Sequence, residues 1–131
     1  MNVSWIRVND FDLSAVTNEV IKWQSHDKFA VQDVSRRDDG VVLMVLENVF
    51  SRIPQFTYYE IHKLGRKRFF GTKTFWVIQL YTAPRPDGPL EKRGCVFGKM
   101  LVTALRAAQR DVELGYLSVT DFGPAVEAMM D

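Results

Sequence analysis

Glu60 and His62 lie two apart in the run Phe56-Thr-Tyr-Tyr-Glu-Ile-His62, whose β-branched and aromatic content is that of a strand. A period of two places both on one face. A carboxylate beside an imidazole is the minimal acid–base pair, or two ligands of a metal site, and a small hydrolase is the activity it would suggest. No nucleophile or third ligand is tied to the pair by spacing, so an ordinary ion pair on a strand face is the expectation. His26, the other histidine, falls at a helix end, where a cation facing the dipole explains it. Cys95 is the only cysteine, which excludes an internal disulfide and any multi-thiolate metal site. It falls just ahead of an expected helix, where amide dipoles could lower a thiol pKa. A thiol nucleophile also needs a positioned base, and none is signalled. Asp38-Asp39-Gly40 lacks the later ligands of a calcium loop. Gly65 and Gly71 lack the Gly-Lys-Ser/Thr ending of a phosphate loop. The sequence therefore assigns no catalytic residue, no metal ligand and no cofactor.

Charge is more informative. Between Glu60 and Asp87 there is no acidic residue, while Lys63, Arg66, Lys67, Arg68, Lys73 and Arg85 all fall in that window. The segments before and after it are mildly acidic, and the whole chain carries +1. Phe56–His62 and Thr74–Thr82 read as the arms of a hairpin with Arg66-Lys-Arg-Phe-Phe70 at its tip. Cations beside aromatic rings can grip phosphate and stack on bases. They can equally anchor in an acidic groove of a protein partner, or simply keep a long hairpin soluble. The candidate contact residues are Lys63, Arg66, Lys67, Arg68, Phe69, Phe70 and Lys73. Both faces of this hairpin are partly apolar, so Tyr58 and Trp76 are candidates for an interface. Met129 and Met130, hard to place in a core, are candidates for the same role.

With 131 residues, 47% hydrophobic and 25% charged, the chain has the size and composition of one globular domain. Its longest apolar run, Val41–Leu46, is strand length and far short of the ~20 residues of a membrane helix. Met1–Arg7 lacks the basic and apolar regions of a secretory signal, so an intracellular setting is expected. A near-neutral balance gives no case for wholesale nucleic-acid binding.

Stepping along the chain, residues 1–8 form a candidate N-terminal arm or edge strand. Asn9, Asp10 and Asp12 offer capping oxygens. Leu13, Val16, Thr17, Val20, Trp23 and Gln24 recur at helical spacing, predicting a helix over about 13–24. Lys28–Ser35 and Val41–Val49 read as strands joined at Asp39-Gly40, a pair suited to a tight hairpin turn. The basic hairpin follows. Ala83–Pro89 is a proline-rich loop. A second helix is expected from Leu90 or Val96 to Leu114, with the stripe Phe97, Leu101, Ala104, Leu105, Ala108 and Val112, and with Gly115 as its cap. Gly98 inside that span implies either a close approach by another element or a later start. Tyr116–Asp121 is a last strand candidate, and 122–131 a short helix or tail. Strands clustered between helices predict an α+β fold: a mainly antiparallel sheet of four to five strands with two helices on one face.

Pro54-Gln-Phe-Thr-Tyr58, then Gly71-Thr-x-Thr-x-x-x-x-x-Leu-Tyr81, then an apolar helix, resembles the tail-terminator, or tail-completion, proteins of tailed bacteriophages. The resemblance covers about residues 9–121. It implies a non-enzymatic α+β subunit of a homo-oligomeric ring, usually a hexamer, that joins the tail tube to the connector at the neck. It further implies that sheets of adjacent subunits meet, and that loops line a lumen through which DNA passes. Partners would be other copies of the chain, other tail or neck proteins, and DNA contacted non-specifically. The location would be the virion, after assembly in the host cytoplasm. The long apolar first hairpin and the Pro124–Asp131 segment depart from the family pattern. A small nucleic-acid-binding or host-protein-modulating protein that uses the tip 63–73 is the alternative.

Overall fold

The computed structural model describes residues 6–8, 11, 13–23, 29–38, 41–48, 56–67, 69, 71–85 and 88–116. In chain order the elements are β1 (Ile6–Arg7), α1 (Leu13–Trp23), β2 (Phe29–Arg36), β3 (Val42–Asn48), β4 (Phe56–Lys67), β5 (Thr72–Ala83), β6 (Glu91–Gly98) and α2 (Leu101–Glu113). All strands join one antiparallel sheet in the order β2-β3-β4-β5-β6. The fold is α+β, as its pattern of elements predicts. β1 shares the β3 side of β4: β3 pairs with Phe56–Ile61, and β1 with Leu64 and Gly65 further along.

The alternation of side chains sorts the sheet into two faces. Val42, Met44 and Leu46 of β3, Tyr59 and Ile61 of β4, and Trp76, Ile78 and Leu80 of β5 point to one side. Val16 of α1 and Leu101, Ala104, Leu105, Ala108 and Val112 of α2 pack onto them, so both helices cover that face. This is the main core. The other face carries Phe56, Tyr58, Leu43, Val45, Tyr81 and Ala83 at one end, with Val77 and Phe75 buried further along.

α2 is positioned at both ends. A Cβ on Gly98 would stand 2.8 Å from the backbone nitrogen of Ala104, so only glycine lets β6 turn this closely into the helix. At the other end Gly115 (φ +86°) donates to Val112 O and Tyr116 to Asp111 O, the paired bonds of a Schellman cap. Tyr116 itself has φ 62°, unusual for a bulky residue. It is secured by a 2.6 Å bond between its hydroxyl and that of Thr57, and by the Arg93 guanidinium over its ring.

Both edge strands are bulged. β2 carries Gln32 as an extra residue between Val31 and Asp33. In β6, Arg93 and Gly94 stand where the register between Gln79 and Tyr81 shifts. Gln79, buried within the sheet, donates its side-chain amide to the carbonyls of Arg93 (2.6 Å) and Gly94 (3.2 Å), groups that the bulge takes out of the ladder.

Several expectations are corrected. Glu91–Gly98 is a strand, so α2 starts later than Leu90 or Val96, and both alternatives raised by Gly98 hold: a later start and a close approach. Phe97, expected in the helical stripe, lies on β6 and is partly exposed. Cys95 is buried within β6 rather than preceding a helix. β4 and β5 are longer than expected, at 12 residues each. The remaining stripe of α2 and the cap at Gly115 stand where the periodicity puts them. The expected Tyr116–Asp121 strand does not begin at Tyr116, whose φ is 62°. Its residues 117–121, together with the expected caps Asn9, Asp10 and Asp12, His26, the turn pair Asp39-Gly40 and the 122–131 tail, lie outside the described residues.

Candidate functional site

β4 and β5 pair continuously from Phe56↔Ala83 to Lys67↔Thr72. β3 accompanies this ladder only to Ile61 and β6 only to Trp76, leaving the outer third flanked by the two-residue β1 alone. The strand propensity of Thr72, Thr74 and Phe75 against Leu64 continues the ladder outward. Gly71, at φ +82°, closes the loop.

At the tip, Phe69 is 94% exposed, more than any other large apolar side chain among the described residues. The pleat divides the cations. Arg66 stands directly opposite Lys73, and the two share the face away from the helices. Lys63 points to the helix-covered face, where its ammonium lies 5.6 Å from the centre of the Trp76 ring. That ring meets Phe11 edge-on at 4.8 Å, and Arg36 lies over the Phe11 ring at 4.6 Å while donating to its carbonyl. Lys63 and Trp76 thus belong to a row of two rings with a cation at each end, which holds Phe11 to the sheet. Trp76 and Tyr58, expected at an interface, are both buried, at 9% and 7% exposure. Of the other expected contact residues, Lys67 is at the last pair of the ladder. Arg68, Phe70, Met129 and Met130 lie outside the described residues.

The second constellation is the Glu60–His62 pair. The residues do share a face, and His62 Nε2 lies 2.7 Å from Glu60 Oε1. Arg37, just past β2, donates to Glu60 Oε2 at 2.9 Å. Hydrogen bonding from His62, with its charge and that of Arg37, outweighs partial burial and holds the Glu60 carboxyl below its ordinary value. Burial, reinforced by the Glu60 charge, raises the Tyr81 phenol. A carboxylate held by two donors is a poor base, because each bond favours its ionised form. His62 is buried beside it. The arrangement ties the β2–β3 turn to the centre of the sheet. Among the described residues no three His, Cys, Asp or Glu side chains are placed to hold a metal ion.

Sequence reasoning missed Arg37 as a partner of Glu60. Finding it requires the order of strands, which places Leu43, Glu60 and Gln79 in one row. It also missed the exposed Leu90, Met100 and Leu114 around β6 and α2. Among the described residues no helix is long and apolar enough to cross a membrane. The chain matches no family model, no curated protein and no solved structure.

Proposed function

We propose that this chain is a non-enzymatic assembly subunit of the kind that forms a ring at the neck of a tailed bacteriophage, joining tail tube to connector. The β4–β5 tip is its contact surface. The observation that carries this reading is Phe69, 94% exposed at the end of a hairpin that outruns its neighbouring strands. A largely exposed aromatic side chain in a segment rich in cations has the composition of an interface anchor. The α+β architecture and the residues shared with tail-terminator proteins support the same reading. The bulges in β2 and β6 disfavour extending the sheet across subunits, since a bulge removes the flat edge another strand would need. Contact through the tip then takes precedence over edge-to-edge pairing.

The test is charge reversal at the tip. Arg66→Glu combined with Arg68→Glu is expected to leave the unfolding transition in place and to abolish ring-sized species. Normal assembly of that double variant would contradict the proposal.

A further inference from the structure

We infer that the outer face of α2 on one copy of the chain docks onto the β2–β3 end of the next copy, on the sheet face away from the helices. The inference rests on the assembly reading and adds to the tip two surfaces through which copies meet.

The charges of α2 start the argument. Leu101, Ala104, Leu105, Ala108, Asp111 and Val112 are its buried side. Thr103, Arg106 and Arg110 recur at three to four residues on the opposite side, all exposed, and Lys99 stands exposed just ahead of the helix. Among the described residues no carboxylate engages Lys99, Arg106 or Arg110. Folding does not call for this row. Like charges four residues apart weaken a helix. The helix dipole favours Arg110 in the last turn, but at the Lys99 end it favours an anion, and the first turn holds none. Met100 and Leu114, at the two ends of the helix, are 63% and 54% exposed. Arginine and methionine are enriched at protein interfaces. A nucleic-acid backbone would use the cations but not the apolar ends.

A surface of opposite character lies on the same chain. Asp33 of β2 stands opposite Val45 in the ladder, so both lie on the face away from the helices. Asp33 and Asp38 are exposed, and among the described residues no cation holds either. The two cations between them, Arg36 and Arg37, are turned to Phe11 and to Glu60. On the same face stand Glu47, which accepts from Gln32, and the half-buried Leu43 and Val45. Each surface thus combines charge of one sign with apolar side chains that reach water. α2 packs over β5 and β6, at the other end of the sheet from β2. The two surfaces therefore lie on opposite faces and at opposite ends of one copy, where only different copies can join them. A contact between two unlike patches repeats from copy to copy and makes a ring where the rotation closes. Because faces meet rather than edges, the bulges of β2 and β6 do not oppose it.

The experiment is a charge swap, read as native mass over a concentration series of the full chain, with thermal unfolding as a check on each variant. Arg106→Glu with Arg110→Glu reverses the first surface, and Asp33→Lys with Asp38→Lys reverses the second. Each double variant is expected to raise the concentration needed for association at least about tenfold, because like charges then face each other. The quadruple variant should associate as the wild type does, and so should an equimolar mixture of the two double variants, in which opposite charges meet at every contact. Lys92→Glu, an exposed cation of β6 outside both surfaces, should change nothing. Oligomers that persist in both double variants would overturn this inference and leave the assembly reading standing. Loss in both, with no recovery in the quadruple variant or in the mixture, would overturn it as well. So would a mixed-sequence duplex DNA whose binding is lost in Arg106→Glu with Arg110→Glu while native mass is unaffected, which would mark nucleic acid as the occupant of α2. A wild-type monomer at every concentration contradicts both claims. Association that follows the charge swap but never closes at one size contradicts the ring alone.

Discussion

At its root the β4–β5 hairpin places Tyr59, Ile61, Ile78 and Leu80 between β3, β6 and α2, each with no surface exposed. At its tip the same two strands carry Arg66, Lys73 and Phe69 past the last residues that β3 and β6 can pair. One hydrogen-bonded ladder runs through both regions, so backbone geometry does not distinguish them. What differs is the flanking structure. At the root, each apolar side chain removed from water contributes roughly 1.5–3 kcal/mol. At the tip, Phe69 is almost wholly exposed while Arg66 and Lys73 are half-buried, so burial there constrains residue type less than at the root. The hairpin teaches that a fold can carry charged and aromatic side chains clear of its core by lengthening two core strands beyond it.

The largest contrast should come from Ile78→Ala. Ile78 faces Ile61 on one side and Val96 on the other, so its truncation leaves a cavity and should cost about 2–5 kcal/mol in urea unfolding. A loss as small as that for a tip substitution would erase the distinction between root and tip. Next comes Gly98→Ala, whose new methyl would meet backbone rather than a flexible side chain. Overpacking of this kind is expected to cost about 1–3 kcal/mol.

A smaller effect should follow acid. The folded carboxyl of Glu60 sits below its ordinary value of 4.5, held there chiefly by its hydrogen bond to His62. Its contribution is therefore fully present above that value and is lost as pH falls through the lower folded pKa. Glu60→Gln should flatten the acid limb of the stability–pH curve, seen by urea unfolding from about pH 6 to about pH 3. An unchanged limb would separate Glu60 from the root. In alkali the sign reverses for Tyr59, whose phenol is pushed well above 10.0 by burial. Its neutral form is favoured in the folded state, so its contribution persists below the unfolded pKa and is lost as pH rises beyond it. The smallest effect on stability should be that of Phe69→Ser, within about 0.5 kcal/mol. The same variant should lose its higher-mass species on a sizing column, which sharpens the comparison, because the residue that matters least to folding matters most to contact.

Much of this architecture is legible in the residues. The period of two in Tyr58–Leu64 and Phe75–Tyr81 gives the faces, and Gly115 gives the end of α2. β6 is not legible, for two physical reasons. The bulge at Arg93 and Gly94 interrupts the alternation, and Phe97 stands at helical spacing from Leu101. The true start of α2 has Met100 at its N-cap with no side-chain hydrogen bond, so no polar residue marks the boundary. In the candidate site, parity joins Glu60 to His62, and the charge run marks the tip. Parity cannot bring Arg37 to Glu60, because that contact depends on β3 lying beside β4. Nor can it reveal that Tyr58 and Trp76 are buried, since apolar residues on both faces of a hairpin fit a covered sheet and an interface equally well.

The most direct test of the account is the native mass of the purified chain across a concentration series at low and at physiological salt. The account predicts a ring-sized oligomer, or a monomer that closes into one as concentration rises. A monomer at every concentration and both salt levels would contradict it.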